Sequence, residues 1–86
     1  MKYIRPRQDF SMSRIAQAMR CLICCDFEPT LHVYKDGKIP TMIIRVDGVG
    51  LSCEQAIATL CDLEHFSAAN FKIIELSEAE VLTEVD

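Results

Sequence analysis

The chain contains no tryptophan and only three glycines and three prolines among its 86 residues. Such sparse backbone punctuation excludes collagen-like, low-complexity and linker-rich architectures, which lean on those residues. Long apolar runs are also lacking. No stretch approaches the ~20 residues that a membrane-crossing helix needs. Behind the leading Met1-Lys2-Tyr3-Ile4-Arg5-Pro6-Arg7 comes no apolar segment of the kind that directs secretion. A cytoplasmic protein is the expectation.

What is present is ordinary globular composition: half the residues are apolar and about a quarter are charged, too apolar for a disordered tail. At this length, folding buries roughly 60–65% of the unfolded surface, enough for one modest core. We therefore expect one domain over residues 1–86. Five cysteines, Cys21, Cys24, Cys25, Cys53 and Cys61, are an odd number and fall below the ~8–10% share of disulfide scaffolds. Free thiols, several of them buried as small hydrophobes, are the expectation.

The net charge of −4 hides an asymmetry. Residues 1–20 carry five cations (Lys2, Arg5, Arg7, Arg14 and Arg20) against Asp9, a net of +4. Residues 21–46 balance three against three, and residues 47–86 set nine acids against Lys72, a net of −8. The sequence is a basic head on an acidic body.

Hydrophobic periodicity places the elements. Lys2–Arg5 alternates weakly and reads as an edge strand ended by Pro6. A helix begins near Ser11 or Ser13, either of which can cap its first N–H groups. Met12, Ile15, Ala16, Met19, Leu22 and Ile23 form its apolar stripe, with Arg14, Gln17, Arg20, Cys21 and Cys24 opposite. Pro29 keeps this helix from running on. Thr30–Lys35 and Thr41–Val46 alternate around Asp36-Gly37, a strong turn dipeptide. Leu31 and Val33 share one face of the first strand, His32 and Tyr34 the other. Met42, Ile44 and Val46 face the core, and Ile43 the second face. Pro40 cannot donate to a ladder, so regular pairing is expected to start after it, or a bulge to sit there, leaving Asp36–Pro40 as an exposed loop tip. Asp47-Gly48-Val49-Gly50 connects to a second helix. Ser52 and Gln55 give that helix a capping box, and Leu51 can staple against Ala56. Its stripe is Cys53, Ala56, Ile57, Leu60 and Leu63. Phe71–Leu76 is apolar on both faces and reads as a central or doubly covered strand. Ser77 and Glu80 mark a last capping box, opening a short helix to about Val85 that lays Val81, Leu82 and Val85 on the sheet's second face.

The order (β)αββαβ(α) predicts an α+β, two-layer α/β sandwich with an antiparallel or mixed sheet of three to four strands. It resembles the ferredoxin-like split βαβ arrangement in element order.

Chemical motifs are weak. Cys21-Leu22-Ile23-Cys24 is a C-x-x-C in the last turns of a helix, where the dipole opposes thiolate, so helix-surface thiols are the plainer account. Cys21, Cys24, Cys61 and His65 are the right types for zinc, but the first pair lies on a helix and the halves are far apart. His32 has no thiol placed near it by the sequence, and the acids show no paired spacing for acid–base work. Asp47-Gly48-Val49-Gly50 lacks the glycine pattern and lysine of a phosphate loop. The expectation is a chain with no catalytic residues, no metal and no cofactor.

Charge is then the outward character. An acidic body attracts a basic partner and speeds its association. The reading is a non-enzymatic protein-binding protein whose contacts come from Glu54, Asp62, Glu78, Glu80 and Glu84. Small, acidic, motif-poor α/β chains of this length are common among inhibitors, immunity proteins and phage anti-defence proteins such as anti-CRISPRs; size and charge are the whole of that association. A two-sign molecule can also pair with itself. The alternative is a nucleic-acid-binding or regulatory domain in which Lys2, Arg5, Arg7, Arg14 and Arg20 grip phosphates, with Tyr3 and Phe10 interleaved for stacking.

Overall fold

A computed structural model describes residues 1–47, 52–64 and 66–85. Its elements in chain order are strand β1 (Lys2–Pro6), helix α1 (Met12–Cys24), strands β2 (Glu28–Asp36) and β3 (Ile39–Asp47), helix α2 (Cys53–Glu64), strand β4 (Phe71–Glu75) and strand β5 (Val81–Val85). Single 3₁₀ turns at Ala68–Asn70 and Glu78–Glu80 precede the last two strands. The strands form one antiparallel sheet in the order β4-β1-β3-β2-β5. The fold is thus α+β with two helices on a five-stranded sheet. Three or four strands had been expected, and with β5 outside β2 the order departs from the four-stranded ferredoxin-like one. Among the described residues no helix is long and apolar enough to cross a membrane.

The β2–β3 hairpin is the most regular part. Its ladder runs from Glu28↔Asp47 to Asp36↔Ile39, leaving Gly37 and Lys38 as a two-residue loop. Gly37 takes φ +65°, which its missing side chain makes cheap at the first position of a type II′ turn. Pairing therefore does not wait until after Pro40. In such a hairpin hydrogen-bonded and non-bonded pairs alternate away from the turn. Pro40 (opposite Lys35) and Pro29 (opposite Val46) both fall on non-bonded pairs, where a missing N–H costs the β2–β3 ladder nothing.

Helix α1 starts at Ser11, whose Oγ accepts from the Arg14 N–H at 3.3 Å. It stops three residues before Pro29 can act. Asp26 takes the left-handed φ of 67°. The Phe27 and Asp26 N–H groups donate back to the Leu22 and Ile23 carbonyls at 3.0 and 3.2 Å. This is a Schellman ending, closed by the buried pair Phe27 and Leu22. Helix α2 opens with the expected capping box: Ser52 N–H donates to Gln55 Oε1 at 2.9 Å and Gln55 N–H to Ser52 Oγ at 3.2 Å.

Both helices cover one sheet face. Ile4, Leu31, Ile44 and Phe71 meet Ile15, Ala18, Cys21 and Leu22 of α1 and Cys53, Ala56 and Leu60 of α2. The buried stripe of α1 is rotated from the expected one. Cys21, placed outside by periodicity, is 7% exposed, while Met12 and Ile23 stand in solvent. Small side chains from both helices (Ala18, Cys21, Cys53, Ala56) share one buried cluster, as close helix packing favours. Leu63 likewise leaves its stripe and is 59% exposed. Phe66 enters the core and stacks with Phe10 and Phe71 at ring separations of 5.9 and 5.6 Å.

Strand β1 is central, between β4 and β3, rather than an edge. Strand β4 lies at an edge and is packed on both faces, with Phe71 and Ile73 in the helix-side core and Ile74, with Leu76 just beyond the strand, in the cluster on the other face; of the two expected alternatives it is the doubly covered one. The C-terminal segment is not a helix: after one 3₁₀ turn it becomes β5, antiparallel to β2 with a bulge at Val33/Tyr34. Val81, Thr83 and Val85 are β-branched at period two, and the open edge of β2 lets that pattern win over the helical one. Joining β4 at one edge to β5 at the other carries residues 76–80 over the second sheet face. There Leu76 and Val81 pack with Tyr3, Tyr34 and Ile43. That face is therefore not an open apolar surface. The staple of Leu51 and the Gly48-Val49-Gly50 connection lie outside the described residues.

Candidate functional site

The acids expected to form one contact surface do not converge. Glu54 sits in the first turn of α2, 3.6 Å from Lys2. Its own backbone N–H, then the Ser52 hydroxyl, then Lys2, lower its carboxyl pKa. Asp62 is at the far end of the same helix. Glu78 and Glu80 are on the connection across the other sheet face. Ser77 donates its N–H and its hydroxyl to the Glu80 carboxylate at 3.0 and 3.1 Å; these bonds, with the N-terminal ammonium, hold that carboxyl low. Glu84 belongs to β5, and its side chain is outside the described residues.

The basic head is dispersed as well. Strand alternation sends Lys2 and Arg5 to opposite faces of β1. Lys2 meets Glu54. Arg5, its side chain 22% exposed, meets Asp36 at 2.8 Å. Arg7 pairs with Asp9 at 3.3 Å. The Arg14 guanidinium lies 4.5 Å over the Phe10 ring and 5.0 Å over Phe66, and Arg20 is exposed on α1. These five cations do not make one track.

Two arrangements that the sequence did not indicate stand out. The first is an open groove of about 550 Å³ lined by Cys25, Phe27, Gln55, Ala58, Thr59, Asp62 and Leu63. It runs from the Schellman ending of α1 along α2, and among the described residues no cation lines it. The second is a cleft of about 430 Å³ formed by residues 5–9, Ala69, Asn70 and Lys72, next to an apolar cleft of about 350 Å³ that shares Pro6, Arg7 and Gln8 with it.

Among the described residues, the thiols and His32 do not assemble into chemistry. The five cysteines are thiols, not disulfides; Cys21 and Cys53 are buried and Cys24 is exposed. Burial first, then Glu54, pushes the Cys53 thiol pKa up, away from the reactive thiolate. His32 Nε2 lies 2.9 Å from Thr30 Oγ1, and its ring meets Tyr3 edge-on at 5.8 Å. His65 lies outside the described residues. Among the described residues no three His, Cys, Asp or Glu side chains gather as a metal site.

No protein-family model matches the chain, and neither does any curated protein or solved structure compared with it.

Proposed function

We propose that the protein acts without catalysis, by binding another protein in the groove along α2. The observation that carries this reading is the conjunction at that groove. Leu63 is a large apolar side chain left in solvent beside Asp62, and it lines the groove together with Phe27 and Ala58. An apolar centre with a polar rim is the layout of a protein contact surface. Asp62 lines the groove, Asp26 is exposed next to Cys25 and Phe27 in the chain, and the described lining includes no cation. The fitting partner presents an apolar side chain with a lysine or arginine next to it. An inhibitor or anti-defence role, in which an acidic surface occludes a basic site, is one setting for such a contact.

The nucleic-acid reading has less support, since Lys2, Arg5 and Arg7 are each paired with an acid of the same chain and Lys2 lies on the opposite face of β1 from Arg5.

The test compares capture from the cells that express the protein, using the wild type, Leu63→Glu with Asp62→Lys, and Arg14→Glu with Arg20→Glu. The proposal expects a discrete protein on the wild type and the arginine variant that is absent from the α2 variant, with circular dichroism showing all three folded. Equal capture by the α2 variant overturns it. So does arginine-dependent retention of a single-stranded oligonucleotide at low salt.

A further inference from the structure

We infer that the cleft between the end of β1 and the start of β4 is an anion site for the phosphate group of a small phosphorylated molecule. This is separate from the α2 groove, with which it shares no residue.

The cleft is built by the backbone. Pro6 ends β1, and the Arg7 N–H then donates to the Asn70 carbonyl at 2.9 Å, which fixes the two walls one residue beyond the ladder. On one side the turn Arg7–Phe10 closes with the Phe10 N–H on the Arg7 carbonyl at 3.0 Å. On the other the 3₁₀ turn Ala68–Asn70 leads into Lys72. The described lining gathers Arg5, Arg7 and Lys72 against Asp9, and Asp36, outside the lining, pairs with Arg5, which leaves three cations against two acids. On a chain of net charge −4, this is a local reversal of sign.

Two details point to a ligand. Arg5 and Lys72 are directly opposite each other in the β1–β4 ladder, a like-charge pair that costs stability unless something negative lies between or beside it. Asp36 holds the Arg5 guanidinium from the hairpin side at 2.8 Å. A guanidinium has five N–H donors, more than one carboxylate can use. Asp9 likewise fixes Arg7, through Nε and Nη2, both at 3.3 Å. The two aspartates orient the arginines, and Lys72 has no ion-pair partner among the described residues. A dianionic phosphate supplies the charge that this set lacks, with oxygens enough for several donors at once.

The size favours a small molecule over a strand. About 430 Å³ lies within the range of small-ligand sites. The cations do not continue outward: Arg14 is committed to two aromatic rings and Lys2 is on the other face. The body of the ligand has room in the neighbouring apolar cleft, past the ridge of Pro6, Arg7 and Gln8, against Phe10, Met12 and Met42.

The experiment titrates the full chain with inorganic phosphate, phenyl phosphate and a single-stranded oligonucleotide, following backbone amide shifts by NMR. Phosphate is expected to move Arg5, Arg7, Asn70 and Lys72 with saturation. Phenyl phosphate is expected to bind more tightly and to add shifts at Met12 and Met42. Lys72→Gln should weaken both by about tenfold, the loss of one charge-assisted hydrogen bond. Arg20→Gln, remote from the cleft, should leave them unchanged. Lys72→Gln should also melt higher than the wild type without phosphate, because the like-charge pair is gone, and gain less from its addition. Shifts that never saturate, equal binding by Lys72→Gln, or oligonucleotide binding tighter than phenyl phosphate overturn the inference.

Discussion

Replacing Ile4 tests the least expected feature of the fold, the central position of β1. The side chain is fully buried and stands opposite Ile44 on β3 and Ile73 on β4. It packs in the same cluster as Leu22 and Leu60 of the two helices. Ile4→Val removes one methylene and should cost about 0.5–1.5 kcal/mol, whereas Ile4→Ala leaves a cavity and should cost about 2–5 kcal/mol. Small domains hold only about 5–15 kcal/mol in all. At roughly 4–8 °C per kcal/mol for a chain of this size, the valine variant melts several degrees lower. The alanine variant loses well over ten degrees or does not fold. Leu82→Ala is the control: Leu82 is 55% exposed, and exposed sites usually stay within about 0.5 kcal/mol. Urea titration followed by circular dichroism, together with thermal melts, reads all three. An Ile4→Ala cost under about 1 kcal/mol would mean that β1 is a frayed edge strand and that the sheet order is wrong.

Asp26→Gly should raise stability by about 0.5–1 kcal/mol. It relieves a left-handed residue at the Schellman position, and the gain is offset in part by greater freedom of the unfolded chain; a lower melting temperature would count against that backbone geometry. Glu54 and Glu80 have carboxyls held below the usual 4.5. Their contribution is complete above that value and is lost as pH falls through the lower folded value. The melting temperature should therefore drop below about pH 4.5, less steeply in the Glu54→Gln, Glu80→Gln double variant; parallel curves for the two proteins would reject the assignment. Timed alkylation read by mass spectrometry should label exposed Cys24 first and Cys53 last, because burial shields the Cys53 thiol and raises its pKa. Faster labelling at Cys53 than at Cys24 would contradict its packing.

Local signals carried much of the secondary structure. Ser11, the Ser52–Gln55 box and Asp36-Gly37 each act through atoms within four residues, so their spacing in the sequence is enough to place them. Errors arose where two local patterns compete and a distant strand decides. Val81-Leu82-Thr83-Glu84-Val85 fits a helix by its apolar positions and a strand by its β-branching. The free edge of β2, some fifty residues earlier in the chain, settles it. Strand β1 looked peripheral because Lys2 and Arg5 are charged. Each finds an acid beyond its own strand, Glu54 on α2 and Asp36 on β2, and that partnership is invisible until the fold exists. Burial of Cys21 and exposure of Leu63 show the same limit: hydrophobicity ranks residues, but the docking angle of the helix chooses among them.

Neither cleft nor groove had a sequence signature, and the reason lies in register. The count of +4 over residues 1–20 described a line, and folding turned it into separate surfaces, since alternation along β1 puts Lys2 under α2 and Arg5 on the far face. Lys72, the sole cation among residues 47–86, is in turn set against Arg5 by the β1–β4 ladder. Slipping that ladder by one residue would turn Lys72 to the helix-covered face and place Phe71 or Ile73 opposite Arg5. The basic cleft is therefore a product of five strand pairs between chain segments almost seventy residues apart. A charge-neutral substitution that shifts this pairing should weaken phosphate binding at least as much as Lys72→Gln does.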